Sequence, residues 1–237
     1  ITPLVPTLNN ATNKVVNPSF SDTQWATMGI FGRVNYAYDN RYLAEFSIRR
    51  DGSSRFIGNK RWGVFPSFSA GWNIANEAFF KSLSKTIQVL KLRASWGSLG
   101  NTNIKQLYPW FLNQPVSAAS SGWLLNGERQ NIANVPGLVS PNLTWERIQS
   151  WNIGFDFGAF NNRLQGNFDY FVRTTKNMVG PAPVKPSILG ANQPAENNSD
   201  MRSNGWELEV KWRDQIGQVN YGARLVMSDD YQTITRY

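Results

Sequence analysis

The chain has 237 residues, of which 41% are hydrophobic and 14% aromatic, and its formal charge is +8. It contains no cysteine and no histidine, which excludes disulfide scaffolds, thiol nucleophiles, Ser-His-Asp triads and most transition-metal sites. We therefore expect no metal site and no cofactor. The mean hydropathy of -0.41 is low for a chain with 10 tryptophans, which suits strands that are apolar on only one face.

Period-two alternation of apolar and polar side chains, bounded by turn residues, predicts eight strands. The first two cover residues 28–38 and 41–50 and are joined by Asp39-Asn40, a two-residue hairpin signal. The remaining strands cover residues 62–74, 89–97, 150–160, 163–172, 206–213 and 218–228, with Asn161-Asn162 as a second hairpin signal. No helix competes, although residues 76–86 have room for one short helical turn. The predicted fold class is all-β.

The alternation is most complete in the seventh predicted strand, Trp206-Glu-Leu-Glu-Val-Lys-Trp-Arg213. One face carries tryptophan at both ends with aliphatic residues between, and the other face carries only charged residues. A face made of consecutive charges cannot be a protein core. The pattern is typical of a strand with lipid on one side and a watery lumen on the other.

The very long predicted connections occur only at every second position. Residues 39–40, 161–162 and 214–217 form short connections, residues 51–61 and 76–86 form connections of intermediate length, and residues 98–149 and 173–204 form the very long ones. If neighbouring strands are antiparallel, every very long loop leaves from the same end of the sheet. This arrangement is typical of an outer-membrane barrel, whereas structureless loops of more than about 20 residues count against a compact soluble domain.

Two alternatives remain open at this point. A soluble β-sandwich, such as a carbohydrate-binding or adhesin module, also alternates and uses hairpins. Tryptophan or tyrosine near strand ends and the one-sided loops favour the membrane barrel instead. The positive charge raises nucleic acid as a partner, but the basic residues are spread along the chain rather than clustered in one patch. We expect no nucleic-acid partner.

The polar phases of the predicted strands carry both charge signs. A glycosidase also uses a pair of carboxylates, but no local feature here indicates the raised carboxyl pKa that its acid needs. We therefore expect these carboxylates to form ion pairs with neighbouring Arg and Lys, and we expect no enzyme activity. The segment Asp51-Gly-Ser-Ser-Arg55 is expected to be a turn with an internal contact. The residues expected to face a lumen are Arg33, Glu45, Arg49, Arg93, Asp156, Asp169, Glu207, Glu209 and Lys211.

The first very long loop is rich in aromatic residues, including Tyr108, Trp110 and Trp123. Exposed rings in such a loop are able to stack on sugar rings or to grip peptide side chains. The alternative is that the rings pack against the rim of the sheet. We take the three residues as candidate substrate-binding positions.

Several motifs occur in a fixed order along most of the chain. They are Gly32-Arg-Val-Asn-Tyr36, Arg50-Asp-Gly-Ser-Ser-Arg-Phe56, Phe65-Pro-Ser-Phe-Ser-Ala-Gly-Trp72 followed by Asn76-Glu77, Leu90-Lys-Leu-Arg-Ala-Ser-Trp-Gly97, Leu143-Thr-Trp-Glu146, Asn152-Ile-Gly-Phe-Asp156 and Asn204-Gly205 before Glu207-Leu-Glu209. Each motif is weak alone, but the ordered series is specific. Together they resemble the barrel of the SusC/RagA-type TonB-dependent transporters of the Bacteroidetes outer membrane.

That resemblance implies a 22-stranded outer-membrane barrel with an N-terminal plug, energised through TonB and capped by a SusD-like surface lipoprotein. It also implies import of oligomeric nutrients, either glycans or peptides. At about 30 residues per strand, a closed barrel of this size needs roughly 650 residues. We therefore expect residues 1–237 to form a partial barrel domain, an antiparallel transmembrane segment of about eight strands embedded in the lipid bilayer, without the plug and the TonB box.

Overall fold

The computed structural model describes residues 22–102, 104, 107–118, 124–180, 182–183, 186, 188 and 193–237. In chain order the strands are β1 (Thr27–Tyr38), β2 (Tyr42–Ser53), β3 (Trp62–Asn73), β4 (Ile87–Asn101), β5 (Val116–Ala118), β6 (Leu124–Leu125), β7 (Glu128–Arg129), β8 (Asn131–Ala133), β9 (Glu146–Ala159), β10 (Leu164–Gly180), β11 (Glu196–Ile216) and β12 (Val219–Arg236). Short 3-10 helices occupy Gly58–Arg61, Ile74–Asn76 and Ala78–Phe80.

Eight of these strands form one antiparallel sheet in the order β1-β2-β3-β4-β9-β10-β11-β12. The four short strands form two small ribbons, β5 with β8 and β6 with β7, inside the connection between β4 and β9. The eight predicted strands and the all-β class are therefore confirmed. The helical turn predicted within residues 76–86 is present as Ala78–Phe80. Among the residues that the structure describes, no helix is long and apolar enough to cross a membrane.

The tight turns at one end of the sheet depend on residues that tolerate the left-handed backbone region. Asp39 and Asn40 have φ values of 50° and 51°, and Asn161 and Asn162 have φ values of 57° and 61°. Asparagine and aspartate adopt this region more readily than other non-glycine residues. Gly217, with φ of 61°, closes the turn between β11 and β12. These turns fix each hairpin register at this end, which we call the short-turn end.

The strands are longer than predicted at the opposite, long-loop end. β10 continues to Gly180 rather than ending at residue 172, and β11 begins at Glu196 rather than at residue 206. Residues 173–180 and 196–204 of the predicted connection 173–204 therefore belong to strands, which corrects the sequence-based boundaries. The alternation of apolar and polar side chains stops in these segments because both faces of the strands are mostly polar there. The backbone hydrogen bonds between strands do not depend on that alternation and continue.

The small buried core lies at the long-loop end, not between layers. It consists of Phe56, Phe65, Ile104, Leu143 and Trp145, with Val179 packed against it. Over most of the sheet the apolar side chains are exposed, and no second sheet covers either face among the described residues. A β-sandwich buries one face of each sheet. The sandwich alternative is therefore wrong.

Candidate functional site

The strand register divides the sheet into two chemically different faces, because residues directly opposite each other on antiparallel strands point to the same side. One face, which we call the polar face, is marked by a row of residues that pair from strand to strand across all eight strands. The row is Arg33, Ser47, Ser67, Gly97, Ser150, Arg173, Ser203 and Gln232. The alternation places every charged residue singled out from the sequence on this face: Arg33, Glu45, Arg49, Arg93, Asp156, Asp169, Glu207, Glu209 and Lys211.

Arg93 is the centre of a three-residue ion-pair group on the polar face. Its Nη2 lies 3.0 Å from Asp156 Oδ1 and 2.9 Å from Asp169 Oδ2. Gly154 of β9 lies between Arg93 and Asp169 in the same row. A Cβ atom on Gly154 would lie 2.2 Å from Asp169 Oδ1. The contact between Arg93 and Asp169 therefore requires glycine at position 154, because a side chain there would collide with Asp169. In the sequence this requirement was visible only as a glycine without an assigned role.

Other charges on the polar face are paired as well. Arg33 Nε lies 3.6 Å from Glu45 Oε1, and Glu209 Oε1 contacts Lys211 Nζ and lies 2.8 Å from Arg224 Nε. Glu207 is exposed, and no Arg or Lys lies within 4.0 Å of its carboxylate in the described part of the chain. The face thus presents both charge signs, mostly neutralised by close partners.

The turn predicted for residues 51–55 begins only at Ser54, because the residues through Ser53 continue β2. Within the segment the Arg55 N–H donates a hydrogen bond to Ser53 Oγ at 3.3 Å. Asp51 accepts hydrogen bonds from Arg49 Nε at 2.7 and 2.8 Å, two residues earlier on the same strand. Arg55 instead donates a hydrogen bond to the Thr102 carbonyl at 2.7 Å and lies over the Trp25 ring. The segment therefore joins the end of β2 to the neighbouring loop.

A groove of about 450 Å³ runs along the polar face between β1 and β10. Charged and polar side chains line it, among them Glu45, Arg93 and Asp169. Small residues, including Ala37 and Gly71, leave the space that forms the groove, because other members of the same rows carry long side chains. The arrangement offers an extended open surface with many hydrogen-bonding groups.

The opposite face is apolar. One row across the sheet consists of Tyr38, Tyr42, Trp72, Leu92, Phe155, Phe168, Leu208 and Met227. On β10 the apolar positions run from Leu164 to Val172, about 27 Å along the strand at roughly 3.4 Å per residue. A strand tilt of roughly 40° reduces this to about 20 Å, close to the roughly 25 Å band of a membrane barrel. We call these rows the apolar band.

Aromatic side chains concentrate at the edge of the band on the short-turn end. Tyr38 stacks on Tyr42 with ring centroids 6.4 Å apart, and Tyr42 stacks on Trp72 at 6.5 Å. Trp212 lies 6.4 Å from Phe160 at the same end of the sheet. Aromatic girdles of this kind flank the lipid-facing band of outer-membrane barrels.

Glu77, which the sequence interpretation did not single out as a site residue, organises this aromatic edge. It is only 7% exposed and accepts hydrogen bonds from the Tyr42 hydroxyl at 2.7 Å, the Trp72 indole at 3.0 Å and Arg41 at 3.3 Å. The hydrogen bond from Tyr42, followed by that from Trp72, lowers the pKa of Glu77 below its ordinary value. The carboxylate ties the β3–β4 connection to the hairpin of β1 and β2.

The loop aromatics form a small cluster. Tyr108 donates a hydrogen bond to the Gln24 carbonyl, and its ring lies 6.0 Å from that of Trp110 in an edge-on arrangement. Trp110 in turn lies 6.2 Å from Phe111, and its buried indole N–H has no hydrogen-bond acceptor among the described residues. Trp123 lies outside the described residues.

One antiparallel sheet with an exposed apolar band, a charged opposite face and long loops at one end only is the wall of a transmembrane β-barrel. The chain belongs to the family described as TonB dependent receptor-like, beta-barrel, whose model matches residues 2–236. The outer-membrane location and the SusC/RagA-type resemblance are thereby confirmed. Members of this family are transporters, not enzymes.

Relatives cover most of this chain. TonB-dependent receptor P3 of Formosa agariphila is 33% identical over 204 residues, which are 86% of this chain and 20% of that protein. TonB-dependent receptor SusC of Bacteroides thetaiotaomicron is 33% identical over 188 residues, or 79% of this chain and 18% of that protein. The chain therefore spans about a fifth of the length of these curated relatives.

Solved structures show the same fold. The structure of the RagAB peptide transporter is matched over 90% of this chain and 22% of its own, with 31% identity and a TM-score of 0.75. The RagAB peptide importer in the "closed-closed" state is matched over 100% of this chain and 25% of its own, with 28% identity and a TM-score of 0.80.

Proposed function

We propose that the complete protein imports an oligomeric nutrient, a glycan or a peptide, across the outer membrane in a TonB-dependent manner. The observation that carries this proposal is the continuous polar face, lined by paired charges of both signs on the side opposite the apolar band. A lumen wall of this kind offers many weak hydrogen bonds that a passing solute exchanges one by one. Transport needs such weak contacts, because tight binding to the wall would hold the solute in place.

The nine charged residues singled out from the sequence, from Arg33 to Lys211, are in this proposal part of the lumen-facing wall. Most of their charges are satisfied by neighbours, as at Arg93 with Asp156 and Asp169. A solute that carries both charge signs is able to exchange with these pairs without leaving a buried unpaired charge. Peptides meet this condition, and one solved relative is a peptide transporter. The polar side chains between the charges serve glycan hydroxyl groups equally well.

Tyr108, Trp110 and Trp123 are proposed to contact the nutrient as it enters from the long-loop end. Tyr108 and Trp110 already pack against each other, so ring packing and ligand contact are compatible at this position.

The partners in this proposal are a SusD-like lipoprotein over the long-loop end and TonB on the opposite side of the membrane. TonB would act through a part of the protein outside this chain. Affinity purification of the tagged complete protein should recover a surface lipoprotein in comparable amount. Recovery of the transporter alone from gently solubilised membranes would contradict the lipoprotein partner.

Uptake assays test the cargo. Cells that depend on this protein should take up labelled oligopeptides or oligosaccharides of several units and should lose that uptake when TonB is deleted. Replacing Tyr108 and Trp110 together with alanine should reduce uptake at low substrate concentration, whereas Phe79→Ala, an exposed aromatic at the other end of the sheet, should not. Unchanged oligomer uptake after deletion of the protein would contradict the proposal.

A further inference from the structure

Basic side chains lie on the apolar-face side of the sheet just beyond the apolar band, at the long-loop end. Arg147 of β9 is directly opposite Lys176 of β10. Arg202 of β11 pairs with Thr174 one row closer to the band, and Arg50 of β2 pairs with Val64 of β3. We call Arg50, Arg147, Lys176 and Arg202 the outward basic cluster, because alternation gives them the same side as Trp151 and Tyr170.

The charges of the outward basic cluster are not neutralised by the protein. No carboxylate lies within 4.0 Å of Arg50, Arg147, Lys176 or Arg202 in the part of the chain that the structure describes. Arg147 and Lys176 are moreover like charges directly opposite each other, which destabilises a sheet. On the polar face, by contrast, Arg33, Arg49, Arg93 and Arg224 each have a carboxylate partner, although Arg173 and Arg213 have none among the described residues. The difference indicates that an anion from outside the chain neutralises this cluster.

Neighbouring aromatic residues hold the cationic groups in place. The Arg147 guanidinium lies 5.7 Å from the centre of the Phe65 ring and donates to the Val64 carbonyl at 3.5 Å. The Arg50 guanidinium lies 4.9 Å from the Trp62 ring centre. The Phe65 ring lies where a Cβ atom of Gly100 on β4 would be, and Arg147, which pairs with Gly100, extends over this ring. The arginines are thus positioned by contacts that leave their charge available.

A cavity of about 330 Å³ opens beside Arg147 and Lys176. Its wall includes Trp62, Thr144 and Gln149, and no Asp or Glu lines its described part. The cavity lies on β3, β9 and β10, in the middle of the sheet and away from its two open edges. Its volume lies within the range of small-molecule pockets, and its lining combines two cations with hydrogen-bonding side chains.

The apolar band begins directly below this cavity. Trp151 is 59% exposed and Ile153 is 62% exposed on β9, two and three rows from Arg147. A ligand with a phosphate group and acyl chains would place its charge in the cavity and its chains along these residues. Lysine and arginine at a membrane surface each attract anionic headgroups.

We propose that the outward basic cluster binds the phosphate-bearing headgroup of an outer-leaflet lipid, with the acyl chains lying along the apolar band. A free phosphate ion satisfies only the charges, whereas the lipid also covers the apolar residues beside them. The proposal depends on the outer-membrane location and not on the imported nutrient. A negative uptake assay would therefore contradict the proposed function alone, and a negative lipid-binding assay would contradict lipid binding alone.

The test uses the complete protein, purified in detergent and exposed to lipid A or to phosphatidylcholine, with retained lipid counted by native mass spectrometry. The wild type should retain lipid A in preference to phosphatidylcholine. The double variant R147Q/K176Q should lose lipid A retention by about fivefold for each removed charge. The matched control is R173Q, which removes an exposed cation from the same strand but on the polar face, and it should retain lipid A like the wild type.

Folding is checked by resistance to cold SDS, and if the double variant fails this check, K176Q alone should reduce retention about fivefold. The charge-preserving variant R147K should retain lipid A. Equal retention by the wild type and the folded charge-removing variant would overturn the proposal. Complete displacement of lipid A by millimolar inorganic phosphate would also overturn it, because the site would then recognise a free anion.

Discussion

At the scale of single residues, the charged wall depends on a glycine that allows opposite charges on two strands to meet across the strand between them. Gly154 allows Arg93 of β4 and Asp169 of β10 to meet across β9. A Cβ atom there would lie 2.2 Å from Asp169 Oδ1 and 2.7 Å from the Phe168 carbonyl. The second contact is with backbone, so a side chain cannot be accommodated by a rotamer change alone.

Gly154→Val should therefore destabilise the protein by about 1–3 kcal/mol, the usual cost of overpacking a filled site. The measurement is equilibrium urea unfolding of the complete protein in lipid vesicles. Gly32→Val is the matched control, because nothing lies within 4 Å of a Cβ atom at this strand glycine. Equal unfolding midpoints for the two variants would show that the row through Gly154 is not packed as described.

Glu77 predicts how stability changes with pH at the short-turn end. Its folded-state pKa is lowered, chiefly by the hydrogen bond from Tyr42, so its stabilising contribution is fully present above the unfolded pKa and is lost as the pH falls through the folded pKa. The melting temperature should fall less steeply on acidification in Glu77→Gln than in the wild type. Glu207→Gln, at an exposed carboxylate, should leave the wild-type profile unchanged, and identical profiles for all three would contradict the role of Glu77.

At the scale of elements, the sequence predicted strand existence well and strand length poorly. Alternation in β11 from Trp206 to Arg213 reports the contrast between lipid and lumen, so the pattern marks only the part of the strand inside the band. Beyond Asn204 both faces are polar and no contrast remains to be read. The strand nevertheless continues to Glu196, because β10 supplies backbone partners to that point and β12 does so as far as Asp200.

The candidate site was predictable to a similar degree. Alternation alone assigned Arg93, Asp156 and Asp169 to one face, but it could not show that these residues meet, because their strands are separated in sequence by the long connection between β4 and β9. The pairing of Glu77 with Tyr42 and Trp72 was hidden for the same reason. Contacts between strands that are distant in sequence depend on the register of the sheet, which only the structure shows.

The projecting ends of β10 and β11 should be protected from hydrogen exchange although they lie beyond the apolar band. Residues 201–204 are paired with both β10 and β12, so their amides should exchange orders of magnitude more slowly than those of residues 110–114, which lie outside any strand. The measurement is hydrogen exchange of the complete protein read by mass spectrometry. Rapid exchange throughout residues 201–204 would mean that this segment is a loop, as the sequence pattern had predicted.

At the scale of the whole molecule, the two faces of one sheet carry the functional proposal and the further inference. The polar face is proposed to guide a nutrient, and the apolar band is the surface that meets lipid. The outward basic cluster, with Arg147 opposite Lys176, lies where the band ends at the long-loop side. Nutrient guidance and lipid binding both require that the polar face meets the lumen and that the apolar band meets lipid.

The most direct test of that assignment is a spin-label scan of residues 206–213 in the complete protein reconstituted in lipid bilayers. The chain contains no cysteine, so each cysteine introduced into this segment is labelled uniquely once any cysteine elsewhere in the complete protein has been replaced. Labels at residues 206, 208, 210 and 212 should be accessible to oxygen, and labels at residues 207, 209, 211 and 213 to a water-soluble nickel complex. Accessibility without a two-residue period, or with the two sets exchanged, would contradict a wall that has lipid on the tryptophan side and water on the charged side.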